Sequence, residues 1–161
     1  MSVEPSFSLI CPDKSVAFLV GLGLGLLSFL FQKGIELRKA NREDFNNVID
    51  KSESLIGELI NSSCAYWARA YEAADALQEQ KIKNDVMRVG KYISDLHKMK
   101  SNFDISKANN KLKNFSQLMT NGDFETKKRK SDPSRCGHIR DVGMRFEAYL
   151  TSNKIKKSFF N

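Results

Sequence analysis

A chain of 161 residues with a formal charge of +7 has room for one modest domain and an appendage. Its three cysteines, Cys11, Cys64 and Cys136, are scattered and odd in number, which excludes a disulfide framework, and no CxxC pair points to structural zinc. Two histidines, His97 and His138, and the absence of G-x-S-x-G, P-loop and HExxH patterns exclude the familiar hydrolases, nucleotide triphosphatases and zinc enzymes, so the chain reads as non-enzymatic, with no cofactor and no metal.

Residues 1–14 are expected to form a short extracytoplasmic tail, followed at 15–34 by a transmembrane helix. From Ser15 to Phe31 there are 17 uncharged residues, 11 of them Val, Leu or Phe. At 1.5 Å per residue they extend about 26 Å, close to the ~30 Å of a hydrocarbon core. A signal peptide needs basic residues before the apolar run and a small-x-small cleavage site after it. Here Glu4 and Asp13 precede the run with a single Lys14, and Phe31, Gln32 and Lys33 follow it. The basic residues Lys33, Arg38, Lys39 and Arg42 come afterwards, so the positive-inside rule places the N-terminus outside the cytoplasmic (inner) membrane and the C-terminal domain in the cytosol, in a single pass. A buried core helix is the alternative reading.

The run "VGLGLGLLSFLF" carries a glycine at every second position near its start. Each would cost a soluble helix about 1 kcal/mol relative to alanine. In lipid, small residues permit close backbone packing instead. Ala17, Gly21 and Gly25 share one face at i, i+4, i+8, and Gly23 points nearly opposite. Small residues on two faces suit a homo-oligomer of three or more rather than a dimer with one self-complementary patch.

Residues 35–161 read as a helical cytosolic domain. The chain from residue 33 on holds 25 of the 26 Lys and Arg and 17 of the 19 Asp and Glu, a net +8. Phe45, Ile49, Ile56, Leu59, Ile60, Trp67, Tyr71, Ala74 and Leu77 recur at helical spacing, and the segment forms either one helix or two, broken near Gly57 or Asn61–Ser63. A second helix is expected over about 82–101 with Ile82, Val86, Val89, Ile93 and Leu96 inside. Asp104 or Ser106 caps a third, carrying Leu112, Phe115, Leu118 and Met119. "TNGD" at 120–123 marks a turn, and Asp132-Pro133 reads as N-cap and first residue of a last helix with Ile139, Val142, Phe146, Tyr149 and Leu150 inward. No strand pattern and no internal repeat competes with this all-α reading.

"KKRKSDPSRCGHIRDVGMR" gathers Lys127, Lys128, Arg129, Lys130, Arg135, His138, Arg140 and Arg145 ahead of and along that helix. Guanidinium groups and a helix start both favour phosphate, so these eight are the candidate ligand contacts. The competing reading is a solvated loop that attracts anionic lipid. Tyr66, Trp67 and Tyr71 either stack on bases or fill the core, and Cys64 and Cys136 read as reduced thiols.

An anchor at 15–31 followed by a basic domain at about 35–161 resembles, in architecture, the small membrane effectors of prokaryotic antiviral defence that respond to cyclic oligoadenylates beside type III CRISPR systems. The resemblance implies a sensor whose domain binds a nucleotide second messenger, such as cyclic tetra-adenylate, and whose oligomeric membrane helices then perturb the bilayer. It implies a small anionic ligand rather than a long nucleic acid, and it carries over no binding residue. The alternative is a non-enzymatic tether or phage-type membrane protein whose long helix docks a partner and whose basic patch binds lipid.

Overall fold

The computed structural model describes the backbone of residues 14–156 and the side chains of residue 25 and residues 27–156. Its elements are helices throughout: α1 (Lys14–Trp67), α2 (Asp75–Met99), α3 (Ile105–Thr120) and α4 (Pro133–Ser152). The chain divides into two compact units, Met1–Ala40 and Asn41–Asn161.

In the first unit the side chains of Leu27, Phe29, Leu30 and Phe31 are 64, 55, 64 and 72 % exposed. At 100° per residue these four directions span about 200° of the helix circumference, with Ser28 in the remaining sector, so the apolar collar is broader than the stripe of an ordinary amphipathic helix. Below the collar, Lys33 pairs with Glu36 at 3.4 Å and lies over the Phe29 ring at 5.9 Å. Space around Gly25 is open, with no atom within 4 Å of where a Cβ would stand. The side chains at Ala17, Gly21 and Gly23 lie outside the described residues, as does the expected tail. Among the described residues no helix is long and apolar enough to cross a membrane; of residues 15–24 and 26 the backbone alone is described.

In the second unit, α1 from Asn41 on packs with α2, α3 and α4. The helix passes through Gly57 and Asn61–Ser63 without a break. Its inward positions, Phe45, Ile49, Ile56, Leu59 and Ile60, are buried, as the spacing anticipates. Each such side chain contributes roughly 1.5–3 kcal/mol on leaving water. Phe45 meets Phe103 edge-on at 6.3 Å, and Phe115 of α3 meets Phe146 of α4 in the same manner at 6.5 Å. The chain returns to α1 at its far end, where Asn46 donates to the carbonyl of Ile155 at 3.0 Å and accepts from its N–H at 2.9 Å.

The helix-rich stretch after Trp67 departs from the expected periodicity. The chain leaves the helix over residues 68–74, and α2 starts at Asp75, seven residues before the expected start. The cause is tertiary. The loop after α3 takes the backbone groups that helical continuation needs: the Asp132 N–H donates to the Trp67 carbonyl at 2.7 Å, the Ser131 hydroxyl to the Ala68 carbonyl at 2.7 Å, and the Tyr71 N–H to the Arg129 carbonyl at 3.3 Å. Ala74 and Leu77 are consequently not core positions; Leu77 is 81 % exposed. Both other caps form as the residue types dictate, Asp104 accepting the Lys107 N–H at 2.8 Å and Asp132 the Arg135 N–H at 3.2 Å. The turn at 120–123 bends at Gly122, whose φ of +74° favours glycine.

Candidate anion-binding site beside Arg135

The basic segment splits into three kinds of cation. Lys127, Lys128, Lys130, His138 and Arg140 are exposed and make no ion pair among the described residues. Arg145 is exposed and joined to Asp141 one turn earlier at 2.9 Å. Arg129 and Arg135 turn inward, and each covers an aromatic ring.

Arg129 is 2 % exposed. Its guanidinium carbon lies 3.5 Å from the centre of the Tyr66 ring, and Nη2 donates to Asp75 Oδ2 at 2.6 Å and to the Ala70 carbonyl at 3.2 Å. Nε and Nη1 find no hydrogen-bond acceptor. Asp75, also buried, meets a second cation: Arg69 Nη2 stands 2.6 Å from Oδ1, near enough to pair the charges but not aligned as a hydrogen bond. Burial by itself would raise the Asp75 carboxyl; the Glu72 N–H and the two guanidiniums outweigh it and hold the group below its ordinary range. Burial likewise pulls on Arg129, and contacts with Tyr66 and Asp75 push it back above the ordinary arginine value. Tyr66 completes the cluster, donating its hydroxyl proton to Glu79 Oε1 at 2.6 Å and accepting the Glu125 N–H at 3.0 Å. The expected ligand cation Arg129 is therefore a structural one. Asp75 occupies the place that an external phosphate would take at its guanidinium, and the run of four lysines and arginines contains nothing that singles Arg129 out.

Arg135 belongs to a surface site. Its guanidinium carbon lies 3.9 Å from the centre of the Trp67 ring, and Nη2 donates to the Asn121 carbonyl at 2.8 Å. The Trp67 indole N–H is satisfied by the Met119 carbonyl at 2.9 Å. Beside Arg135 opens a cleft of about 380 Å³ lined by Asn114, Gln117, Leu118 and Asn121. The three amides offer donors and acceptors in both senses, and the arginine offers a fixed positive fork. Such a lining can hold a phosphate against the guanidinium and a polar edge against the amides. The basic run puts Arg135 among its eight candidates without singling it out; the amides come from α3 and the turn after it, and only the fold places them there.

Of the two readings of the aromatics, core holds for Trp67 and Tyr66: both are buried and arginines occupy a face of each ring, so neither stands free for base stacking. One expectation changes. The start of α4 does not offer bare N–H groups to an outside anion. Asp132 caps it, and the Ser134 hydroxyl, donating to Asp132 Oδ1 at 2.6 Å, leads in holding that carboxyl below its ordinary range. An anion at the helix start would face a carboxylate. No family model matches this chain, no curated protein is similar to it in sequence, and no solved structure matches its fold.

Proposed function

We propose that the protein is a non-enzymatic, single-pass membrane sensor, with its N-terminus outside and its basic helical domain in the cytosol binding a small phosphate-bearing ligand of the nucleotide class. The observation that carries this reading is the apolar collar of Leu27, Phe29, Leu30 and Phe31, exposed over more than half of the helix circumference and followed by Lys33, Arg38, Lys39 and Arg42. A single partner helix covers one narrow face, whereas lipid, or an oligomer within lipid, covers a surface this broad. The cleft at Arg135 supports the ligand half. Cyclic tetra-adenylate heads the panel of ligands because the architecture resembles its effectors. A ligand acts on the membrane helices only if it prefers one arrangement of the oligomer, since equal affinity for two states shifts neither.

The test has two arms. Full-length protein stays with the membrane through a carbonate wash, and protease supplied from outside leaves the C-terminal domain intact; digestion from that side reverses the topology. Calorimetry on the detergent-solubilised protein with linear and cyclic adenylates then gives binding that weakens as salt rises. A hydrogen bond to a charged group is worth about 1.5–3 kcal/mol, so Arg135→Ala weakens binding by roughly ten-fold or more. No binding at low salt, with pull-down by anionic vesicles instead, leaves the tether.

A further inference from the structure

We infer that Cys64 and Cys136 are a redox-active thiol pair, which a peroxide closes into a disulfide joining α1 to α4. The two are 72 positions apart in the chain, and the fold sets them face to face. Cys136 Sγ lies 3.3 Å from the carbonyl oxygen of Cys64, and Cys64 Sγ lies 3.6 Å from the carbonyl oxygen of Cys136. A thiol that reaches its partner's own carbonyl, in both directions, brings the two backbones to the side-by-side approach that a disulfide spans. The thiols also bear on one another directly. Burial first, and then the Cys136 thiol, push Cys64 up to about 11. Both cysteines are free.

The environments assign the order of events. Cys136 is half-buried in the first turns of α4, whereas Cys64 is buried, so peroxide meets Cys136 first. Its thiolate attacks one peroxide oxygen, the O–O bond breaks, and hydroxide leaves, giving Cys136 sulfenic acid. The Cys64 sulfur then attacks the Cys136 sulfur. The S–O bond breaks, the S–S bond forms, and the Cys64 proton leaves with the hydroxyl as water. The pair gives up two electrons and the peroxide takes them. The attacking form of Cys64 is its thiolate, so the raised value keeps this thiol quiet toward peroxide itself and makes the closing step faster as the pH rises. This inference is independent of the ligand reading.

Full-length native protein treated with hydrogen peroxide and digested with trypsin without reductant tests it. The expected product is the peptide Ser52–Arg69 joined to Cys136–Arg140, lighter than the two free peptides by two hydrogens and split again by dithiothreitol. Because the fold holds the thiols together, the link forms at least about ten-fold faster in native protein than in urea. In Cys64→Ser, Cys136 is recovered as an oxyacid with no intramolecular link. Recovery of both peptides unlinked from native wild-type protein, a link from Cys136 to Cys11 instead, or equal rates in native and urea-unfolded protein overturns the pairing and leaves one buried and one half-buried thiol that merely cap each other's carbonyls.

Discussion

Removing the Arg129 side chain strips Asp75 of the partner aligned with it and leaves a buried carboxylate facing Arg69 alone. Breaking a buried pair from one side costs about 3–5 kcal/mol, whereas neutralising an exposed cation costs within about 0.5 kcal/mol. Arg129→Ala therefore lowers the urea midpoint sharply and Lys130→Ala does not, although the two residues are neighbours in one basic run. Replacing both partners, as in Asp75→Leu with Arg129→Leu, recovers much of the loss, because the desolvation penalty disappears with the charges. The same cluster sets an acid limit. The folded state holds the Asp75 carboxyl below its ordinary value of 3.8, so the unfolded chain binds that proton more readily. The stabilisation is complete at neutral pH and fades as the pH falls through and below that range. Urea titrations at successive acid pH values follow the loss, and in Asp75→Leu with Arg129→Leu this part of the acid sensitivity is gone.

Among the helices, glycine positions separate packing from propensity. A Cβ at Gly143 would stand 2.6 Å from Ile60 Cδ1 and 3.0 Å from Phe115 Cε2, so α4 approaches α1 and α3 only because that atom is missing. Gly143→Ala is expected to cost about 1–3 kcal/mol. At Gly57 the added atom meets only Glu147 Oε1 at an ordinary 3.6 Å, and Gly57→Ala stabilises by up to about 1 kcal/mol. Thermal melts of the two variants shift in opposite directions. These contrasts also show how far the sequence is readable. Periodicity finds α1, α3 and α4, and the residue types of Asp104, Asp132 and Pro133 fix two of the starts, because those signals are local. The break at 68–74 is invisible in "WARAYEAADALQEQ", a run of strong helix formers, because its cause is the loop at 129–132, sixty residues away. For the same reason Arg135 appears only as one of eight basic candidates, and Asn114, Gln117 and Asn121 do not appear at all. Nor does spacing along the chain say that Cys64 meets Cys136.

At the scale of the molecule, the reading as a membrane oligomer turns on the small residues of the apolar run. Gly21→Leu with Gly25→Leu keeps the run hydrophobic while filling the close-approach face, so the protein still fractionates with membrane but its assembly in detergent is weakened. Unchanged assembly reduces the glycines to composition alone. The chain has a single tryptophan, Trp67, and its indole lies beneath the Arg135 guanidinium at 3.9 Å. The protein's intrinsic fluorescence thus originates at the candidate site. A phosphate that draws Arg135 away from the ring bares one face of the indole to water, shifting the emission to the red, whereas a ligand held elsewhere leaves the spectrum unchanged. Cys64 sits three residues before Trp67 on α1. A disulfide formed there quenches the same emission without moving its maximum, so one unlabelled optical signal separates ligand capture from thiol oxidation in real time.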